Sequence, residues 1–175
     1  VHREQALTQL ARRMADKVRL TRQPVPPFSF YDENAPIYTH SRHLPPSKML
    51  DSHINESMVG EGCIIKECTI THSVIGIRSR IETDCVIHSA LLMGADYYES
   101  HSERAQALES GKVPLGIGAN TTIQKAIIDK NARIGRNCVI TPEGKPDRVD
   151  GDNFYLRDGV IVVPKGAVVP DNTWL

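Results

Sequence analysis

The chain has few aromatic side chains, no long apolar run and no excess of charge of either sign. Aromatic residues make up 5% of the 175 residues, so a core has to be built mainly from Ile, Val, Leu and Ala. No apolar stretch approaches the roughly 20 residues that a membrane-spanning helix needs. Lys plus Arg and Asp plus Glu both number 21, which gives no overall field for a nucleic-acid backbone. We therefore expect neither nucleic acid nor a membrane as a partner.

Cysteine is also scarce. The cysteines are too few and too widely spaced for the disulfide framework of a small secreted domain: Cys63, Cys68, Cys85 and Cys138. No second pair and no suitably spaced histidine accompanies Cys63 and Cys68, so buried thiols are a better interpretation than a zinc site. We expect a reducing, cytoplasmic setting and no bound metal.

The residues before Met49 differ in composition from the rest of the chain. Apolar side chains between residues 3 and 20 recur at close to 3.6-residue spacing, which predicts an N-terminal helical segment over residues 1–23. Residues 24–48 are rich in proline, which predicts an extended, semi-rigid linker. Because the sequence starts at Val1 without an initiator Met, we expect it to be part of a longer chain.

From Met49 onward the sequence is repetitive. Three similar units align on Ser57, Ser73 and Ser89, which are spaced by 16 residues each. Aliphatic side chains recur every five or six positions, a period that neither a helix nor a hairpin produces. One short strand and one tight turn give a face of about six residues, and three such faces close one coil. The pattern predicts a mainly β protein whose coil of short strands occupies residues 49–175.

Two segments interrupt the repeat. Residues 95–112 include a stretch rich in Glu, Ala and Leu, which predicts a helical insertion capped by Ser100 or Ser102. Residues 96–98, an Asp-Tyr-Tyr run, are expected to pin this insertion against the coil. Residues 142–153 are polar and rich in turn formers, which predicts a loop. Insertions in coil proteins project from corners, so both segments are candidate contact surfaces.

Several longer strings are more specific than the repeat. They are Phe28-Ser29-Phe30-Tyr31-Asp32, Ala35-Pro36-Ile37-Tyr38-Thr39, Leu44-Pro45-Pro46-Ser47-Lys48, Leu92-Met93-Gly94-Ala95-Asp96-Tyr97-Tyr98-Glu99 and Ala126-Ile127-Ile128-Asp129-Lys130-Asn131-Ala132-Arg133-Ile134-Gly135. In these strings and their order, residues 18–175 resemble the C-terminal region of the ADP-glucose pyrophosphorylase family, the glucose-1-phosphate adenylyltransferases, in the branch from oxygenic phototrophs. Residues 2–17 do not share the resemblance. The resemblance implies a left-handed parallel β-helix, an exception to the right-handed rule for crossover connections.

The resemblance also implies an activity that this chain is not expected to perform alone. Members of the family join ATP and glucose 1-phosphate into ADP-glucose and pyrophosphate with Mg²⁺, for glycogen or starch biosynthesis. Their catalytic domain, with its glycine-rich nucleotide loop, lies upstream of the matched region. The lone Gly116-Ile117-Gly118 is in phase with the repeat and is not such a loop. We therefore expect no cofactor in this chain, because ATP and Mg²⁺ belong to the catalytic domain.

A site for phosphorylated effectors is implied as well, with 3-phosphoglycerate as the usual activator and inorganic phosphate as the usual inhibitor. Carried over by motif, Lys130 with Asp129 and, nearer the C-terminus, Lys165 match effector contacts. Arg42 matches a linker arginine that approaches the same anion. His40 stands where the family often has Gln, and its imidazole can also donate to phosphate. A phosphate needs several converging cationic donors, which Lys and Arg supply.

The same resemblance implies partners and a compartment. We expect the chain to contact the catalytic domain of the same enzyme and to assemble into a tetramer, with a homotetramer as the simplest form. The cytoplasm is the expected location, or the plastid stroma if the source is a plant or alga.

Other interpretations of the repeat remain open. His53, His72 and His88 lie about one coil apart, which permits a zinc site, although surface ladder residues are the preferred interpretation. A hexapeptide-repeat acyltransferase would use a corner histidine as general base, and His101 is the candidate. A stand-alone β-helix scaffold protein would need no catalytic domain at all.

Overall fold

The computed structural model describes residues 42–175, which form a three-sided coil of short strands. In chain order the elements are β1 (Lys48–Leu50), β2 (His53–Asn55), β3 (Met58–Val59), β4 (Ile64–Lys66), β5 (Thr69–Thr71), β6 (Val74–Ile75), β7 (Arg80–Ile81), β8 (Val86–His88), β9 (Leu91–Leu92), α1 (His101–Glu109), β10 (Gly116–Ile117), β11 (Thr122–Gln124), β12 (Ala126–Ile128), β13 (Arg133–Ile134), β14 (Val139–Ile140), β15 (Arg148–Asp150), β16 (Tyr155–Arg157), β17 (Val160–Val163) and β18 (Val168–Val169). The predicted N-terminal helix, and the linker up to residue 41, lie outside the described residues.

Three sheets form the walls of the coil. The first wall is β1-β4-β7-β10-β13-β18, the second is β2-β5-β8-β11-β14, and the third is β3-β6-β9-β12-β17 with β16 and β15 added at its end. Neighbouring strands are parallel except for the two pairs that involve β16. From β1 to β15, successive strands occupy successive walls, so every third strand returns to the same wall, whereas β15, β16 and β17 all lie in the third wall. The mainly β, parallel β-helix that the repeat predicted is confirmed.

The core is a column of branched aliphatic side chains. In the first wall the buried residues that stand in register are Ile65, Ile81, Ile117, Ile134 and Val169. Parallel strands lie about 4.8 Å apart, so each side chain packs on its equivalents above and below. The four cysteines are free and buried, and no buried apolar side chain in residues 42–175 is aromatic. This packing explains how an aromatic-poor sequence forms a core.

Serine side chains join neighbouring coils at the corners. Ser52 Oγ accepts a hydrogen bond from the N–H of Cys68 at 3.2 Å. Ser57 Oγ accepts from the N–H of Ser73 at 3.1 Å, and Ser73 Oγ accepts from the N–H of Ala90 at 3.1 Å. Backbone N–H groups at a corner lie outside the hydrogen-bond ladders of the sheets, and the serine hydroxyl oxygens accept from them instead. The 16-residue spacing of Ser57 and Ser73 therefore reflects one full coil.

The alignment of the third repeat unit on Ser89 is wrong by one residue. Val74 stands opposite Leu91 in the third wall, so Ala90 is the equivalent of Ser73. Paired residues of β4 and β7 are 16 positions apart in the sequence, whereas those of β5 and β8 are 17 positions apart. The corner between β7 and β8 therefore contains one extra residue. Ser89 instead adopts a left-handed corner conformation, with φ of 50°.

Helix α1 occupies the first insertion and stands outside the coil, with none of its residues buried. Ser100 is the N-cap: its Oγ accepts from the N–H of Glu103 at 3.2 Å, and its N–H donates to Glu103 Oε2 at 2.8 Å. Arg104 attaches the helix to the coil, since it donates to the carbonyl of Leu115 at 2.9 Å and pairs with Glu82 at 2.8 Å. No helix in residues 42–175 is long and apolar enough to cross a bilayer.

The second insertion is not the simple loop that its polar composition predicted. Strands β15 and β16 form an antiparallel hairpin that continues the third wall beyond β17. Val149 stands opposite Leu156, which is buried. The buried Arg157 donates to the carbonyl of Val149 at 2.9 Å and forms an ion pair with Asp150. Strand β16 pairs with the open edge of β17, and β15 pairs in turn with β16, which stabilises a strand that turn-forming composition alone does not predict.

Candidate functional site

Two lysines come from the same corner of the coil on neighbouring turns. Lys130 follows β12 and Lys165 follows β17, and Ile128 stands opposite Val163 where these strands pair. The N–H of Gly166 donates to the carbonyl of Lys130 at 2.9 Å. The lysines are 35 residues apart in the sequence, yet they lie one coil apart in space because the second insertion separates their strands.

Asp96 joins the two lysines. Its Oδ1 accepts a hydrogen bond from Lys130 Nζ at 2.8 Å, and its Oδ2 accepts one from Lys165 Nζ at 3.0 Å. Asn131 Nδ2 also donates to Asp96 Oδ2 at 3.0 Å, and Asn131 Oδ1 accepts from the N–H of Asp96 at 2.8 Å. The hydrogen bond from Lys130, and then that from Lys165, holds the pKa of Asp96 far below its usual range. Both ammonium groups therefore form ion pairs with one ionised carboxylate.

The lysine corner, meaning Asp96, Lys130, Asn131 and Lys165, is open to solvent. The exposed fraction of the side chain is 59% for Lys165, 33% for Lys130 and 39% for Asp96. A surface of this kind suits the charged end of a ligand that approaches from outside. It does not suit a substrate that has to be enclosed and shielded from water.

Asp129 turns its carboxylate toward the backbone of the same corner. Its Oδ1 accepts a hydrogen bond from the N–H of Lys130 at 2.6 Å, and its own N–H donates to the carbonyl of Val163 at 2.9 Å. A carboxylate repels a phosphate, so direct contact with an anionic effector is unfavourable. In this geometry Asp129 fixes the backbone that presents Lys130.

The structure brings the two lysines together but does not add the linker residues to them. Arg42 is exposed, and within residues 42–175 it makes no ion pair with Asp96, the carboxylate that the two lysines share. His40 lies outside the described residues. The segment after Arg42 is held on the first coil, where Ser47 Oγ accepts from the N–H of Cys63 at 3.1 Å.

Sequence reasoning assigned Asp96 to the anchoring of the insertion and did not place it, or Asn131, in the site. Strand register is the signal that finds them. Leu92 of β9 stands opposite Ile128 of β12, so the residues after β9 reach the same corner one coil earlier. The N–H of Asn131 accordingly donates to the carbonyl of Gly94 at 3.1 Å.

The chain that follows Asp96 is attached to the first wall. Tyr98 Oη donates to the carbonyl of Gly62 at 3.0 Å, and Glu99 pairs with Arg133 at 2.7 Å. Tyr98 thus makes the kind of anchoring contact expected for this run. These contacts fix the backbone on the C-terminal side of Asp96 and leave its side chain at the surface.

The histidines form surface contacts along the coil. His72 Nε2 pairs with Glu56 Oε2 at 2.5 Å, and the ring centroids of His72 and His88 lie 5.3 Å apart, edge to face. His53 stands opposite Thr69 in the second wall. In the described part of the chain, no group of three or more His, Cys, Asp or Glu side chains is arranged to hold a metal ion.

A groove of about 620 Å³ lies between α1 and the first wall. Its charged residues include Arg80 and Arg104, which both pair with Glu82, at 2.7 Å and 2.8 Å respectively. Leu108 contributes an exposed apolar side chain. His101, the residue proposed for acyl transfer, is exposed at the start of α1 and does not line this groove. Arg80 and Arg104 thus share the carboxylate of Glu82, as Lys130 and Lys165 share that of Asp96.

Comparison with known proteins agrees with the resemblance. A family model described as the GLGC left-handed parallel beta-helix domain matches residues 42–174. The chloroplastic/amyloplastic small subunit of glucose-1-phosphate adenylyltransferase from Triticum aestivum is 48% identical to this chain over 156 residues. The alignment covers 88% of this chain and 33% of the wheat subunit. This chain belongs to the family of left-handed parallel β-helix domains found in glucose-1-phosphate adenylyltransferases.

Proposed function

We propose that this chain is the regulatory and oligomerisation region of a glucose-1-phosphate adenylyltransferase, and that Lys130 and Lys165 bind the phosphate group of its effectors. The observation that carries the proposal is the shared carboxylate, since the two lysines contact the two oxygens of Asp96. Ammonium groups close enough to share one carboxylate are close enough to share one phosphate, which presents its oxygens at a similar spacing.

The chemistry of the corner supports a phosphate over other ligands. Lys130 and Lys165 are compact positive charges with three donors each, and hydrogen bonds between ionised groups are about twice as strong as neutral ones. Arg42, on the exposed segment before β1, would add a planar guanidinium from the linker when an effector bridges the two elements. The resemblance indicates 3-phosphoglycerate as activator and inorganic phosphate as inhibitor.

Regulation would act through the junction between the linker and the coil. An effector that contacts the lysines and Arg42 together binds best when the linker lies against the corner. Such a ligand shifts the equilibrium between the docked and undocked arrangements of the linker. The size of the shift equals the difference between the binding free energies of the ligand for the two arrangements. The linker leads toward the catalytic domain in the family, so the shift would be transmitted to the site of catalysis.

The proposal also covers the setting of this region. The synthesis of ADP-glucose from ATP and glucose 1-phosphate, with Mg²⁺, would belong to the catalytic domain, and this chain would have no turnover alone. The wheat relative is named a small subunit and is chloroplastic/amyloplastic. That name favours the plastid stroma as the compartment of this region, while the tetramer and the role in starch biosynthesis are proposed on the resemblance described above.

Activation curves of the assembled enzyme test this function. Charge-assisted contacts contribute about 1.5–3 kcal/mol, so Lys165→Ala should weaken activation by 3-phosphoglycerate about 10- to 100-fold, with smaller effects on the KM for ATP. Lys130→Ala should act in the same direction. Lys125→Ala is the matched control, because Lys125 is exposed at a different corner, after β11. Unchanged activation in both the Lys130 and Lys165 variants would refute the proposal.

A further inference from the structure

The lysine corner already contains an anion supplied by the chain. Both oxygens of Asp96 accept hydrogen bonds from lysines, at 2.8 Å from Lys130 and 3.0 Å from Lys165. An effector phosphate would need the same two ammonium groups. The carboxylate and the phosphate therefore compete for the same donors.

We propose that Asp96 competes with the effector phosphate for Lys130 and Lys165. Its carboxylate has to release both lysines before they bind the ligand. This inference rests on the proposed function of the lysine corner. It assigns to Asp96 a role in setting both the affinity and the selectivity of the site.

The local structure allows Asp96 to leave the lysines without unfolding the corner. Its N–H is bound to Asn131 Oδ1 at 2.8 Å, and Tyr98 is anchored to the carbonyl of Gly62 at 3.0 Å. Gly94, two residues earlier, is held in a left-handed conformation with φ of 83°. The backbone is thus fixed on both sides, while the Asp96 side chain is 39% exposed. Rotation about its side-chain bonds is sufficient to uncover both ammonium groups.

The charge balance of the corner shows why the competition discriminates among anions. The two lysines are matched by two carboxylates, those of Asp96 and Asp129, of which Asp129 is bound to the backbone N–H of Lys130 at 2.6 Å. A ligand carboxylate offers one negative charge, as Asp96 does, and gains little by replacing it. A phosphate carries a charge of about −1.5 to −2 and three acceptor oxygens, so it gains from the exchange. Asp96 therefore favours phosphorylated ligands over simple carboxylates.

Calorimetric titration of the full chain with inorganic phosphate tests the inference. Asp96→Asn keeps the size of the side chain and its hydrogen bond to Asn131 but removes the charge. We expect this variant to bind phosphate about fivefold more tightly than the wild-type chain, the effect of one unit charge at about 4 Å in water. It should also bind glycerate, which the wild-type chain should not bind measurably. Asp171→Asn is the matched control, because Asp171 is an exposed carboxylate that pairs with Arg136 at 3.2 Å, and it should bind like wild type.

The remaining variants separate the two levels of the proposal. If Lys165→Ala weakens phosphate binding but Asp96→Asn binds phosphate equally or more weakly, the competitor role is overturned and the effector site stands. If Lys165→Ala and Lys130→Ala leave phosphate binding unchanged, the effector site itself is overturned.

A second measurement covers the case in which Asp96→Asn does not fold. The side-chain amide resonances of Asn131, which donates to Asp96 Oδ2 at 3.0 Å, report on the wild-type carboxylate. A shift of these resonances as phosphate saturates the wild-type chain supports release of the lysines. No shift at saturation overturns the inference.

Discussion

Replacement of Ile81 by alanine tests whether stacked aliphatic side chains stabilise the coil. Ile81 is fully buried and stands in register between Ile65 and Ile117. The substitution removes three carbon atoms, and at about 0.8 kcal/mol for each buried methylene the lost transfer free energy is about 2.4 kcal/mol. Coils on both sides keep the space from closing, so a cavity term should raise the loss to about 3–4 kcal/mol.

Urea unfolding of the full chain measures this loss. Val86→Ala is the control, since Val86 lies in β8 of the second wall and is 46% exposed. Truncation of an exposed side chain of this kind should change the free energy of unfolding by less than about 1 kcal/mol. If Ile81→Ala costs no more than Val86→Ala, the aliphatic column is not what stabilises the fold.

Two further substitutions examine the acid sensitivity and the backbone of the region around the site. Burial opposes ionisation of Glu82, but the hydrogen bond and charge of Arg80, together with the charges of Arg104 and Lys66, hold the pKa of that carboxyl below its ordinary value of 4.5. The contribution of Glu82 to the free energy of unfolding should therefore be constant above pH 4.5 and fall as the pH drops below it. Glu82→Gln should remove this part of the fall in urea titrations, and parallel curves for the two proteins would refute the role of the ion pairs. Gly94→Ala should destabilise the chain more than Gly144→Ala. For Gly144→Ala, only the left-handed backbone conformation opposes the new Cβ, and strain of about 1–2 kcal/mol is expected. Both glycines are left-handed, but an added Cβ meets the carbonyl of Ile77 only at Gly94, so equal losses in thermal unfolding would contradict the packing.

The repeat predicted the architecture because its period has one geometric cause. Side chains that recur every five or six residues, with serines one coil apart, fit only short faces joined by corners. The alignment failed at Ser89 because the corner before β8 contains one extra residue, so that Ala90, and not Ser89, is the equivalent of Ser73. The antiparallel pairing of β15 was also missed, because this strand is stabilised by its pairing with β16, which extends the third wall, and not by its composition.

The lysine corner was predicted in part. Motif matching named Lys130 and Lys165, and strand pairing then brings them onto one carboxylate. Asp96 was not predicted as a site residue, because its position depends on the register of β9 with β12 across a long insertion. The proposed contribution of Arg42 remains a prediction, since it depends on an effector that bridges the linker and the coil.

Diffraction from crystals of the chain grown with 3-phosphoglycerate would show where the effector binds. We expect phosphate density within hydrogen-bond distance of Lys130 Nζ and Lys165 Nζ, with the Asp96 side chain turned away from both. Density for the ligand at another surface, with Asp96 still bound to both lysines, would contradict this expectation.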